Sequence, residues 1–264
     1  MSAMRLTSSC AVLLLSLACL ACRPARGATE TPEARNTDES DPSSAATRDE
    51  SGGREGELVS VRPGINDRYF EDGAVDTWTD ILERERREVI AHRDEIVAAL
   101  GLTAGTRVAD IGSGTGAFVS DLSAGVGPEG KVYAVDIVPS FLDHLRAKAE
   151  AEGLANLEVV EATPTDASLP EASVDLLFMC DVYHHIEYPA AYLETLHRAL
   201  APGGRFVIVE FDRVPGKTSE RMLKHVRQDK PTLIAEMKAA GFVVEREIES
   251  IPFDENYMLV FVAA

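Results

Sequence analysis

Two stretches of the chain hold side chains that could do chemistry. The first is Asp181-Val-Tyr183-His184-His185, which ends an apolar run over residues 173–180. A neutral imidazole has the intrinsic pKa to take a proton from a hydroxyl or thiol nucleophile, which makes His184 a candidate base. Adjacent histidines can also ligate metals, but no Cys, His or Asp set with ligand spacing stands near this pair. A structural role, with one ring buried and hydrogen-bonded, is the commoner fate of a histidine pair without a visible partner. The second stretch is Asp110-Ile-Gly112-Ser-Gly114-Thr-Gly116. Glycine takes positive φ at little cost, and its missing side chain lets a ligand approach the backbone closely. Amides at the start of the following helix are unpaired and aligned with its dipole, so a polar ligand group can sit there.

Stepping outward, Val108, Ala109 and Ile111 read as a short buried strand, and residues 117–122 begin a helix. A second strand, 131–135, ends at Asp136. The spacing Gly112-x-Gly114-x-x-Ala117 also satisfies the dinucleotide fingerprint, so the turn alone does not choose a ligand.

Asp110-x-Gly112-x-Gly114-x-Gly116 followed by Val-Tyr-Ala-Val-Asp136-Ile137 resembles the class I S-adenosylmethionine-dependent methyltransferases, from about residue 60 to the C-terminus. A second match is Leu200-x-Pro-Gly-Gly204 before the strand 205–210, and it weighs against a nicotinamide oxidoreductase. The resemblance implies an α/β three-layer sandwich with a mostly parallel seven-stranded sheet and an antiparallel C-terminal edge strand pair. It implies that the glycine turn packs against the methionine part of S-adenosylmethionine and that Asp136 holds the ribose hydroxyls. Ile137 and Asp181 would join the cofactor site. Many members carry Gly-Asp after the third strand, whereas this chain has Ala162-Thr163, then Pro164-Thr165-Asp166. Thr163 or Asp166 would then meet the adenine. Asp181-x-x-His-His together with the Pro-Gly-Gly strand is most similar to the small-molecule branch, which includes quinone-biosynthesis C-methyltransferases.

The remaining elements follow from periodicity. Residues 79–100 read as one helix closed by Gly101, with Tyr69, Phe70 and Trp78 ahead of it. Those aromatics either pack into the core against the sheet or shape a substrate pocket. Residues 139–152 read as a crossover helix, 157–160 as the third strand, and 173–180 as a strand buried on both faces. Residues 189–200 read as an amphipathic helix, 231–240 as another, and 242–248 and 257–262 as closing strands. Residues 213–228 bring Lys217, Arg221, Lys224, His225 and Arg227 together, either as a solvated face or as an attraction for an anionic substrate group.

The N-terminus has a different character. Arg5 precedes an apolar run over residues 11–21, of signal-peptide length and too short to span a bilayer comfortably. Small residues before Cys19 and Cys22 look like a bacterial lipobox, which would make Cys22 or Cys19 the acylated residue. An ordinary cleaved signal or a mis-assigned start are the alternatives, and the second would leave a cytoplasmic protein. Residues 23–57 are too poor in large apolar side chains to offset their ordering entropy and read as a tether. The organisation expected is a signal at 1–22, a tether at 23–57, an N-terminal cap and helix at 58–100, and the methyltransferase domain at 101–264.

With 264 residues, 45% of them apolar, the chain is ample for one α/β domain. A net charge of −18 and no Lys/Arg run argue against a nucleic-acid surface. Cys180 is the one cysteine outside the signal region, so no disulfide forms within the folded part. Two function classes stand: methyl transfer to a small-molecule acceptor, or an exported, non-catalytic binding protein on the same fold.

Overall fold

The structure, a computed structural model, describes residues 58–84 and 87–264. The expected signal and tether therefore lie outside the described residues.

Seven strands form one sheet: β1 (Arg107–Ile111), β2 (Lys131–Asp136), β3 (Leu157–Glu161), β4 (Val174–Cys180), β5 (Leu200–Phe211), β6 (Phe242–Glu247) and β7 (Asn256–Ala263). Their order is β3-β2-β1-β4-β5-β7-β6. Pairing is parallel from β3 through β5, and β7 runs antiparallel to both β5 and β6. The expected fold class is thus present.

Among the described residues there are eight helices: α1 (Ala74–Leu82), α2 (Glu88–Ala91), α3 (Arg93–Leu100), α4 (Val119–Val126), α5 (Pro139–Glu152), α6 (Pro189–Ala199), α7 (Glu220–His225) and α8 (Lys230–Ala239). Successive strand residues point to opposite faces, so each central strand feeds two cores. Ala109, Leu177 and Phe206 pack with Leu193 and Leu196 of α6 and with Leu233 and Met237 of α8. Val108, Leu176 and Val207 pack with Ile96 and Leu100 of α3 and with Leu122 and Val126 of α4. Burial on both faces explains why β4 reads as an unbroken apolar run. The edge strand β6 keeps Glu245, Arg246 and Glu247 exposed, which discourages pairing with another chain.

One expectation is corrected. Residues 79–100 are not one helix, because α1 stops at Leu82 and the chain restarts at α2 and α3. The break is tertiary in origin. Arg87 has an extended backbone (ψ 130°), and its guanidinium donates to the Leu82 carbonyl at 2.7 Å and to Asp181 Oδ2 at 2.7 Å. The Glu88 carboxylate accepts the amides of Asp254, Glu255 and Asn256. Pinning two successive side chains to distant loops outweighs helical propensity, which is worth tenths of a kcal/mol per residue.

The sheet order reverses between β1 and β4, and the carboxyl ends of parallel strands open a crevice at such a point. The segment before α1 crosses this end of the sheet. It is tied there by Val61 N donating to the Glu187 carbonyl (2.9 Å), Ser60 Oγ to Glu187 Oε2 (2.7 Å) and Asn66 Nδ2 to the His185 carbonyl (3.0 Å).

Candidate active site

Asp110, Asp136, Asp181 and Glu210 stand at or just beyond the carboxyl ends of β1, β2, β4 and β5. All four are buried. Between the first three lies a cleft of about 1060 Å³, part of it open to solvent. Gly112, Gly114, Ile137 and Thr163 line it as well. Of the residues expected to hold a cofactor, Gly116 lies outside that lining. A Cβ there would meet Leu145 at 2.9 Å, so Gly116 lets the turn pack on α5.

The glycine turn is held by Asp136. Its Oδ2 accepts the Gly114 amide at 2.8 Å and its Oδ1 the Val138 amide at 2.9 Å. Gly114 has φ +53°, and a Cβ there would project into the cleft, meeting only Leu82 at 3.5 Å before the turn's own backbone. Gly112 serves packing, since its Cβ would lie 2.5 Å from Val182. Thr115 Oγ1 is buried in the turn without a hydrogen-bond partner among the described residues. Beyond β3, Thr163 faces the cleft, whereas Asp166 accepts the Ser168 amide at 2.8 Å in a local turn.

Burial raises all three cleft carboxyls. It pushes Asp110 up to about 7, with a further rise from Asp136 against a lowering by Ser113. It raises Asp136 against three backbone hydrogen bonds. It lifts Asp181 to about 7 although the Arg87 guanidinium pulls the other way. Three desolvated acids around one cleft favour a ligand that brings positive charge. Asp181 also has φ +54°, an unusual backbone for a residue with a Cβ. Its amide donates to the Val209 carbonyl, and its carboxylate is clamped by Arg87 and by Asn256 Nδ2 at 2.7 Å.

A second, wider cavity adjoins the first. Tyr69, Leu82, Arg87, Asp181 and His185 line both and form the wall between them. Tyr69 stacks on Trp78 with ring centroids 4.4 Å apart, and its hydroxyl lies 3.3 Å from His185 Nε2. Phe70 is exposed. Tyr69 and Trp78 therefore border the cavities instead of packing into the core against the sheet. Basic residues, Arg62, Arg68, Arg84, Arg221 and Lys224, outnumber the acids Glu88, Asp254 and Glu255 around the second cavity.

His184 opens onto this second cavity, not the cleft. Its Nδ1 lies 2.9 and 3.0 Å from the two oxygens of Glu210, which also accept the His184 and Phe211 amides. Both oxygens are thus solvated by backbone N–H groups, and Nδ1 carries the proton toward them, leaving the lone pair on Nε2. Burial pushes the imidazole down to about 3 and the Glu210 carboxyl up to about 7. The ring is therefore neutral, and Glu210 stands where it would stabilise an imidazolium. Glu210, Arg87 and Asn256 were not singled out from the sequence. The signal for Glu210 was its place at the end of a parallel strand, the logic that found Asp110 and Asp136.

This strand order, with the cleft at the β1/β4 crossing and the acid after β2 tied to the glycine turn, invites comparison with known proteins. Residues 109–208 match the family model of a methyltransferase domain. The matched residues include the glycine turn, Asp136, Asp181 and His184. Over 118 residues the chain is 33% identical to a ubiquinone/menaquinone biosynthesis C-methyltransferase of Pseudomonas putida, covering 44% of this chain and 46% of that protein. The chain thus spans about half the length of the curated relatives it matches. Among solved structures, a SAM-dependent methyltransferase from Aquifex aeolicus superposes with a TM-score of 0.64 at 23% identity, covering 72% of this chain and 98% of that one. A phosphoethanolamine N-methyltransferase of Haemonchus contortus, in complex with phosphomonomethylethanolamine and S-adenosylhomocysteine, gives 0.59 at 17% identity over 76% and 58% of the two chains. These structural likenesses carry the fold.

Proposed function

We propose that the chain is an S-adenosylmethionine-dependent methyltransferase acting on a small-molecule acceptor. The observation that carries this reading is the cleft itself. It has a glycine turn with room for a close ligand, three buried carboxyls that favour a cation, and an orphaned Thr115 hydroxyl. S-adenosylmethionine has a cationic sulfonium and an ammonium group, a polar carboxylate and a ribose diol, which suits that donor and acceptor set.

In this reading Gly114 admits the cofactor, Asp136 offers its remaining lone pairs to the ribose, and Thr163 meets the adenine side. Asp110 and Asp181 face the cationic portion. The bound cofactor would supply an electrophilic methyl group, and the chain's task is alignment rather than covalent chemistry. The acceptor enters from the second cavity, whose basic rim suits an anionic group. Tyr69, Leu82 and Arg87 in the shared wall exclude water from the transfer path. As the acceptor's oxygen, nitrogen or carbon takes the methyl group, His184 Nε2 receives its proton while Nδ1 passes its own to Glu210, whose carboxyl burial raises to about 7. Residues 1–57 complete the proposal as an export signal and tether, with Cys22 or Cys19 acylated at a membrane.

The test is calorimetric titration of S-adenosylmethionine and S-adenosylhomocysteine into the chain and a Gly114→Val variant. Both ligands should bind the unaltered chain, and the variant should lose them while keeping its circular dichroism spectrum. Equal affinity in the two proteins would sink the cofactor site.

A further inference from the structure

Facing the second cavity, α7 brings a third imidazole to the pair after β4. The ring centroids of His184 and His185 are 4.2 Å apart, and that of His225 lies 4.9 Å and 5.2 Å from them. One ligating nitrogen from each of the three lies within 4.8 Å of the other two. We propose that His184, His185 and His225 form a three-imidazole binding site for a divalent transition-metal ion of the zinc class.

The hydrogen bonds around the rings carry the argument further than proximity does. A metal-bound histidine characteristically donates its other N–H to a carboxylate or carbonyl oxygen, which fixes the tautomer and aims the lone pair. His184 does this through Nδ1 to Glu210. His185 does it through Nδ1 to Asn66 Oδ1 at 3.1 Å. Asn66 is oriented for the purpose, since its Nδ2 already donates to the His185 carbonyl. Both rings therefore hold Nε2 as the free nitrogen. On His185 that atom accepts only the long bond from Tyr69. The His225 ring has no hydrogen-bond partner among the described residues.

Tetrahedral zinc with nitrogen ligands at about 2.0–2.1 Å needs its ligands about 3.3 Å apart, so the rings must close somewhat. His225 is the ring free to move, because it sits in the last turn of a six-residue helix with no buried residue. Arg62 and Arg221 border the same cavity and oppose a dication, whereas Glu210 supplies compensating negative charge. Three protein ligands with a cavity at the fourth position is the pattern of an open metal site, and the basic rim favours an anionic oxygen there. With the ion bound, His184 Nε2 no longer accepts a proton. Metal occupancy would therefore govern the acceptor side and leave the glycine turn untouched.

The test needs no S-adenosylmethionine, so it stands apart from the cofactor reading. The full chain, stripped with chelator, is titrated with Zn²⁺ by calorimetry and with Co²⁺ by visible absorption. Expected are one equivalent that is lost in His225→Ala, and binding weakened about tenfold or more in Glu210→Gln. The Co²⁺ bands should lack thiolate charge transfer, which distinguishes imidazoles from the chain's cysteines. No binding, or the same stoichiometry and affinity in His225→Ala, overturns the site.

Discussion

The Asp110 carboxyl offers a direct check on the electrostatics of the cleft. Burial raises it from 3.8 to about 7 in the folded chain. Near pH 6 only about one-tenth of it is ionised, and near pH 8 about nine-tenths. A cation that binds the ionised form must displace a proton at the lower pH, at a cost of about 1.4 kcal/mol per pH unit below the pKa. Affinity for S-adenosylmethionine should therefore be roughly tenfold lower near pH 6 than near pH 8 on this account. The stability of the ligand-free chain runs the other way. A carboxyl whose folded pKa exceeds its unfolded value contributes stability that is fully present below 3.8 and lost as pH rises through about 7. Calorimetry in buffers of different ionisation enthalpy should show protons released on binding near pH 6. Asp110→Asn removes one of the two cleft carboxyls raised to about 7, so its affinity should be flatter across the same range, with Asp181 supplying the slope that remains. S-adenosylhomocysteine, without the sulfonium charge, should show a smaller pH dependence than S-adenosylmethionine. An identical slope in Asp110→Asn and the unaltered chain would refute the reasoning, because the proton would then belong elsewhere.

Two further outcomes are expected, one from the geometry and one from the sequence. Arg87→Ala leaves the Asp181 carboxylate with Asn256 alone and uncaps α1, and with the Arg87 side chain 23% exposed the loss should be about 1–3 kcal/mol. Urea unfolding measures it, and an unchanged midpoint would show that the pair contributes nothing. At the other end of the chain, mass spectrometry of the purified protein from its native membrane should find an acylated peptide beginning at Cys22 or Cys19. An unmodified peptide running through residues 1–22 would remove the lipoprotein reading.

What could be read in advance depended on how local each cause was. The β1–turn–α4 unit was legible because Asp110, the glycines and the apolar strand sit within one short run whose spacing carries the geometry. Both faces of β4 are covered, so its continuous apolar run gave its depth in the sheet. The break after Leu82 was invisible, because it is imposed by an Arg87–Asp181 bond between residues far apart in the chain. Glu210 looked like the end of a strand until the fold set it behind His184, 26 residues earlier. His225 looked like part of a basic run, and only the path of α7 joins it to the histidine pair.

The reversed strand β7 has a consequence for how the site comes into being. Its pairing with β5 and β6 joins those two strands, and its first residue, Asn256, clamps Asp181. During synthesis the β1–β5 sheet can assemble while β5 still shows an unpaired edge, but β6 has no neighbour until β7 arrives. Closing that gap requires pairing between segments well separated in the chain, which is the slow kind of event in folding. The same insertion that completes the sheet sets Asn256 against the carboxylate. A molecule stalled before this step would keep its glycine turn while Asp181 lacked its Asn256 partner. Completion of the sheet and the clamping of Asp181 are thus one maturation event, read out by the same hydrogen bond.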